Sequence, residues 1–251
     1  MNATTLSLDL PTPIPVRTLA RIGGALYVFI IVAGIFGELF VRNGLIVSGD
    51  ATATAANIAA HEGLWRLGIA GDLAMHIADL PLLLIIYLLV RPVSASLALL
   101  VVLFDAVQTA ALVATKLQLM LPLFLGSGAS YLGAFDPAQL HALAYVALRM
   151  DSHGFGFGLI DFGCGCLVLG YLIRHSGYLP KLIGIGMQIA GACYLVNSFA
   201  LILAPKLASA MVPAILLPPF LAETSFALWL LIRGVDEARW NALANARERA
   251  R

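Results

Sequence analysis

Long runs of apolar residues, broken at intervals by glycine, proline and basic residues, are the main feature of this chain. A helix needs about 20 mostly apolar residues to cross a lipid bilayer, and six of the runs are long enough. They lie near residues 19–42, 67–90, 94–120, 153–174, 181–204 and 210–233. The pattern therefore predicts an all-α, polytopic membrane protein with six transmembrane helices.

Two of the segments between the runs carry helix-start signals of their own. Asp50 precedes an Ala-rich stretch, and aspartate is a favoured N-cap residue. Asp136 precedes Pro137, and proline is favoured at the first helical position. We expect short interfacial helices here, in the outer loops. A straight helix over 137–174 would be about 57 Å long, which exceeds the bilayer, so we expect a bend near Gly154.

The composition supports a membrane protein. Of the 251 residues, 61% are hydrophobic and 12% are charged, whereas soluble domains carry about 25% charged residues. The formal net charge of +1 and the lack of a long basic run argue against nucleic-acid binding. The expected partners are the lipid bilayer and a small-molecule or lipid ligand, and a homodimer is compatible with the sequence.

The distribution of Lys and Arg predicts the orientation, because cytoplasmic loops are enriched in these residues. With the N-terminus inside, ten of the 15 basic residues fall on the inner side. An even number of spans then places both termini in the cytoplasm and the protein in the inner membrane. The predicted organisation is a cytoplasmic N-terminal arm at 1–18, a transmembrane domain at 19–234 and a basic cytoplasmic tail at 235–251.

Four stretches of the chain resemble a known family. They are ARIGGALYVFIIVAGIFGELFVR, LIVSGDATATAANIAAHEG, YLGAFDPAQLHALA and RHSGYLPKLIG. In order and spacing they resemble the bacterial and archaeal membrane family catalogued as domain of unknown function 4386, over about residues 19–234. The resemblance implies a six-span membrane protein. The family has no known activity, so the resemblance assigns no catalytic residues in this chain.

Ionisable and amide side chains lie inside the predicted spans, where each is costly to insert unless it faces protein or water. Asp72, His76 and Asp79 follow the spacing of one helix face. A second polar stripe runs from Asp105 to Lys116 in the third span. We expect both stripes to face the other helices. The candidate cavity and ligand-binding residues are Glu38, Asp72, His76, Asp79, Asp105, Gln108, Lys116, His153, Asp161, Asn197 and Glu223.

These polar residues concentrate in the outer half and the middle of the spans, whereas the inner half is almost entirely Leu, Ile, Val and Ala. We therefore expect a polar cavity that opens outward and binds or transports a small molecule or ion. Lys116 is expected to pair with Asp105 or Glu223. Pro218-Pro219, just before Glu223, is expected either to break the sixth span near the midplane, as in transporters, or only to kink it.

Two other functions stay open at this point. His76, His153 and Asp72 supply the nitrogen and oxygen ligands that zinc takes, which would suit a metal-dependent hydrolase acting at the outer leaflet. The sequence contains no HExxH string in support of this alternative. In the other alternative the polar groups only pack helices together, and the protein has a structural or accessory role. The sequence names no catalytic residue.

Overall fold

The computed structural model describes residues 14–249, apart from the side chain of residue 248. The first 13 residues of the predicted N-terminal arm and the last two residues of the tail therefore lie outside the described residues. Six helical segments are long and apolar enough to cross a membrane, which confirms the predicted six-span, all-α fold. The spans are Val16–Leu45, Glu62–Val90, Ala95–Leu125, Pro137–Ser176, Lys181–Leu203 and Ala214–Ile232.

The described residues form eleven α-helices, several of them short, and eight of these lie in the spans. They are α1 (Val16–Ile35), α2 (Asn43–Leu45), α3 (Ala51–Ala60), α4 (Glu62–Val90), α5 (Ala95–Thr115), α6 (Leu117–Leu125), α7 (Pro137–Ser176), α8 (Lys181–Leu203), α9 (Pro205–Met211), α10 (Leu217–Ile232) and α11 (Glu237–Arg249). A π-helical segment, Phe36–Arg42, joins α1 to α2 within the first span. Such segments are rare and often occur at functional sites.

Helix α7 has 40 residues and begins at a complete capping box. The Asp136 carboxylate accepts a hydrogen bond from the backbone N–H of Gln139 over 2.8 Å, and the Gln139 side chain accepts one from the backbone N–H of Asp136 over 3.1 Å. The helix continues without interruption past Gly154, where a bend was predicted. Its first part packs against α3 and α6, so these neighbours support the extra length.

Helices α7 and α8 pack together through two pairs of glycines spaced seven residues apart. Gly163 faces Gly191, and Gly170 faces Gly184. A Cβ atom added at Gly170 would lie 2.5 Å from the Gly184 carbonyl oxygen and 2.8 Å from the Gln188 backbone nitrogen. Glycine at these positions therefore lets the two backbones touch, as small residues do in other membrane helix pairs.

A large apolar core closes the bundle at the end where the second span turns into the third. Helix α11 docks on this end, because the indole N–H of Trp240 donates to the Leu89 carbonyl oxygen over 2.9 Å. The Tyr178 hydroxyl donates to the same oxygen over 2.6 Å, and burial raises the pKa of this phenol. Much of the predicted C-terminal tail is thus a helix packed onto the transmembrane domain.

The proline pair before Glu223 starts a helix rather than interrupting one. Pro218 and Pro219 lie in the first turn of α10, after a short 3₁₀ turn at Ala214–Leu216. The first turn of a helix tolerates proline because its backbone N–H groups have no partner within the helix. The predicted break within the sixth span is therefore the start of α10, and Glu223 lies in the second turn of that helix.

Candidate functional site

A cavity of about 720 Å³ lies between the six spans, and every span contributes to its lining. Asn43, Ser48 and Tyr145 border one end of it. This end faces the loop between the first two spans, because the Tyr145 hydroxyl accepts a hydrogen bond from the Gly49 backbone N–H over 2.8 Å. The opposite end reaches the apolar core through Leu82 and Ile86, among other residues. We refer to this space as the cavity.

Five charged side chains form a network across the first four spans near the loop end of the cavity. The Asp72 carboxylate lies 2.6 Å from Arg42 Nη1 and 3.6 Å from Lys116 Nζ. Arg42 Nε lies 2.8 Å from Glu38, and Lys116 Nζ lies 3.2 Å from Asp151. Asp72 is only 1% exposed and does not itself line the cavity, whereas the other four do. We call these five residues the ion network.

The ion network changes the expected pairing of Lys116, which contacts Asp72 and Asp151 rather than Asp105 or Glu223. Asp105 is eleven residues earlier on the same span, which is about 16 Å along a helix axis. A lysine side chain does not cover that distance. Asp151 is closer because the long helix α7 passes beside the end of α5.

In the middle of the cavity, His76 and Asp79 form a contact of 3.2 Å between Nδ1 and a carboxylate oxygen. The Thr109 hydroxyl donates to the same Asp79 oxygen over 3.4 Å. His76 is 3% exposed, and its Nε2 has no hydrogen-bond partner among the described residues. The Oδ1 atom of Asp105 is likewise buried without a partner in that part of the chain. Both residues line the cavity.

Deeper in the bundle, two tyrosines hold Glu223. The Tyr27 hydroxyl donates to Glu223 Oε2 over 3.0 Å, and the Tyr194 hydroxyl donates to Oε1. The three residues come from the first, fifth and sixth spans and all line the cavity. Phe162 packs against Tyr194 with 5.4 Å between the ring centroids. The carboxyl group is therefore fixed in position by its neighbours.

The structure places seven of the eleven candidate residues in the cavity lining: Glu38, His76, Asp79, Asp105, Gln108, Lys116 and Glu223. The other four, Asp72, His153, Asp161 and Asn197, do not line it. Asp72 nevertheless contacts Arg42 and Lys116, which do line the cavity, and so helps to orient them. Asn197 is 9% exposed, and its Oδ1 has no partner among the described residues.

Sequence reasoning missed four polar members of the site. Arg42 and Asp151 were passed over because each lies at the edge of its predicted span, where a charge was expected to face water. Tyr27 and Tyr194 were missed because tyrosine counts as a hydrophobic residue in the pattern of apolar runs. The available signal was their depth, since a phenol inside the bilayer must find a hydrogen-bond partner.

His76 and His153 are not brought together as ligands of one metal ion. Helix α7 is continuous, and two residues correspond to about 200° of rotation, so His153 points away from the side on which Asp151 meets the cavity. The His153 ring instead contacts the Arg149 carbonyl oxygen over 2.8 Å. Across residues 14–249, no group of three or more His, Cys, Asp or Glu side chains is arranged to hold a metal ion.

We expect the purified protein to carry far less than one zinc ion per chain, because among residues 14–249 His76 has only Asp79 as a neighbouring ligand. Zinc sites need at least three protein ligands. Elemental analysis of protein purified without chelator measures this directly, with His76→Ala as the comparison. The prediction would be contradicted if the wild type contained one zinc ion per chain and the variant contained none. That result would support the hydrolase alternative.

The comparisons with known proteins identify a family and an archaeal relative. A family model described as "Domain of unknown function (DUF4386)" matches residues 22–234. A protein of Archaeoglobus fulgidus described as "Uncharacterized protein" is 28% identical over 166 residues, which cover 66% of this chain and 83% of that protein. No solved structure is significantly similar to the chain. The family match includes all six spans and therefore the elements that build the cavity.

Proposed function

We propose that this chain, which belongs to the family described as domain of unknown function 4386, binds a small molecule or ion in the cavity between its membrane spans. One observation carries the proposal. A cavity of about 720 Å³ is lined by His76 and Asp105, and each of these side chains has a buried polar atom, Nε2 and Oδ1 respectively, without a partner among the described residues. Buried polar atoms are normally hydrogen-bonded, so a ligand that completes them is the simplest occupant.

The size and chemistry of the cavity support this function. Ligand pockets usually enclose about 300–1,000 Å³, with mostly apolar walls and a few placed polar groups. The cavity has both features, because its walls include many Ile, Leu and Phe side chains together with a few polar groups such as His76, Asp79 and Glu223. Polar groups that served only to pack helices would not need to surround an open space of this size.

The position of the cavity supports binding from outside the cell. Its loop end lies beside Ser48, on the side that the Lys and Arg distribution assigns to the exterior. The other end abuts the apolar core on which α11 rests. We therefore place the protein in the inner membrane, with both termini in the cytoplasm and the cavity facing outward. Transport would require the apolar core to part, so binding is the function that the geometry supports best.

Filling part of the cavity with a side chain is expected to weaken ligand binding. Gly34 lines the cavity, and the nearest atom to a Cβ there is Met75 Sδ at 3.5 Å, so Gly34→Phe can be accommodated and extends into the space. We expect native mass spectrometry of protein extracted gently from its own membrane to show a bound small molecule in the wild type. Its occupancy should fall in Gly34→Phe, because the phenyl ring takes up part of the cavity and covers part of the wall that a ligand would contact.

The matched control is Gly71→Phe. Gly71 is also helical and does not line the cavity, and a Cβ there would meet nothing within 4 Å. This variant should retain the wild-type occupancy. A wild-type protein with no bound molecule, or equal occupancy in Gly34→Phe, would contradict the proposed function.

A further inference from the structure

The charges along the cavity are divided unevenly between its two ends. Its lining contains three Lys or Arg side chains within the described part of the chain, namely Arg42, Lys116 and Arg149. The first two belong to the ion network, and Arg149 lies two residues before Asp151 of that network. All three cations are therefore at the loop end, where acidic side chains balance them.

The deeper part of the cavity contains carboxyl groups without a Lys or Arg partner among the described residues. Asp79, Asp105 and Glu223 all line this part, and no Lys or Arg side chain from residues 14–249 lines it with them. We call these three residues the acidic triplet. Gathering carboxyl groups in a low-dielectric interior without a counter-charge is unfavourable. A bound cation would compensate for it.

The unpartnered nitrogen of His76 is a second, independent indication of the ligand class, because it lacks a hydrogen-bond donor. When the His76 ring is neutral and donates to the Asp79 carboxylate, its proton lies on Nδ1, which is 3.2 Å from an Asp79 oxygen. His76 Nε2 is then an acceptor, and it is buried without a donor among the described residues. The missing partner is therefore a group that donates hydrogen bonds and does not need to accept them. An ammonium group has this property.

The walls around the acidic triplet suit the organic part of such a ligand. The aromatic side chains that line the cavity include Tyr27, Phe162, Tyr194 and Phe220. Aromatic rings attract ammonium groups through their π-faces. A bare metal cation would satisfy the acceptors but not the apolar volume, and no metal-binding cluster occurs among residues 14–249.

We infer that the cavity binds an organic ammonium ion, with its nitrogen beside Asp79, Asp105 and Glu223 and its apolar portion against the aromatic and aliphatic walls. The inference rests on the proposed function and specifies the ligand class of that same site. The ligand enters past the ion network, whose cations are neutralised by Glu38, Asp72 and Asp151 and so do not repel it.

Three probes of similar size separate charge from shape. They are 2-phenylethylammonium, the neutral 2-phenylethanol and the anionic 3-phenylpropanoate. Isothermal titration calorimetry on the purified full-length protein, at constant sodium chloride, should show the ammonium probe binding at least about tenfold more tightly than the alcohol. The anion should bind more weakly than either. Gly34→Phe should weaken the binding of all three.

The acidic triplet is tested by two variants that keep the side-chain shape. Glu223→Gln retains a carbonyl oxygen that can accept from Tyr27, and Asp105→Asn offers a second test if the first does not fold. Each should lower the affinity for 2-phenylethylammonium about tenfold and leave that for 2-phenylethanol unchanged. Glu62→Gln is the matched control, because Glu62 is half exposed and pairs only with Arg66 among the described residues.

The outcomes distinguish the inference from the function on which it rests. If the alcohol or the anion binds as tightly as the ammonium probe and Gly34→Phe weakens that binding, the cavity is a binding site and the ammonium inference is wrong. An unchanged affinity for 2-phenylethylammonium in folded Glu223→Gln and Asp105→Asn also overturns it. If none of the probes binds, the ammonium inference fails, and the native mass spectrometry of the wild type decides the proposed function separately.

Discussion

Replacing Asp72 by Asn is expected to lower the free energy of unfolding by about 3–5 kcal/mol, because it removes one partner from a buried charge network. Asp72 is 1% exposed and contacts two buried cations, Arg42 over 2.6 Å and Lys116 over 3.6 Å. The Asn side chain is neutral, so the two cations would lose their shared anion. Among the described residues, Arg42 would keep only Glu38 and Lys116 only Asp151 as acidic partners, in a region where water solvates the charges poorly.

The change in the free energy of unfolding can be measured by reversible unfolding in mixed detergent micelles. Two further variants test whether the ion network causes it. Arg42→Met in the Asp72→Asn background should recover part of the stability, since one cation is then removed and its other partner, Glu38, is exposed. Glu62→Gln should cost less than about 1 kcal/mol, because the Glu62–Arg66 pair is half exposed and surface pairs contribute little. A loss below 1 kcal/mol in Asp72→Asn would show that the ion network is not what joins the first four spans.

Adding one methyl group at Gly170 is expected to cost about 1–3 kcal/mol, the usual range for overpacking a tight interface. The new Cβ would lie 2.5 Å from the Gly184 carbonyl oxygen and 2.8 Å from the Gln188 backbone nitrogen. Both are backbone atoms of α8, so no side-chain rotation relieves the clash and the two helices must separate. Helix α7 also carries Leu169 into the cavity lining, so we expect the cavity to distort as well.

The same unfolding measurement tests this prediction, with Gly71→Ala as its control. A Cβ at Gly71 would meet no atom within 4 Å, and alanine is the better helix former, so this variant should be as stable as the wild type or slightly more stable. If Gly170→Ala is also as stable as the wild type, the close approach of α7 and α8 does not depend on glycine.

The sequence by itself determined the class of the protein and much of its candidate site. Six apolar runs are enough to predict six spans, because the bilayer sets a minimum length for any helix that crosses it. Helix periodicity was enough to place His76 and Asp79 on one inward face, and they contact each other in the structure. The capping signals at Asp50 and Asp136 were also local, so they could be read directly from neighbouring residues.

The tertiary structure decided which polar groups meet across helices. Lys116 pairs with Asp151 because α7 is a continuous helix that passes beside it, and the same continuity turns His153 away from the cavity. Glu223 is held by Tyr27 and Tyr194, which come from two other spans. Periodicity gives the direction of a side chain around its own helix, but the rotation and depth of one helix against another depend on packing. For that reason the candidate residues could be predicted from the sequence, but not their partners.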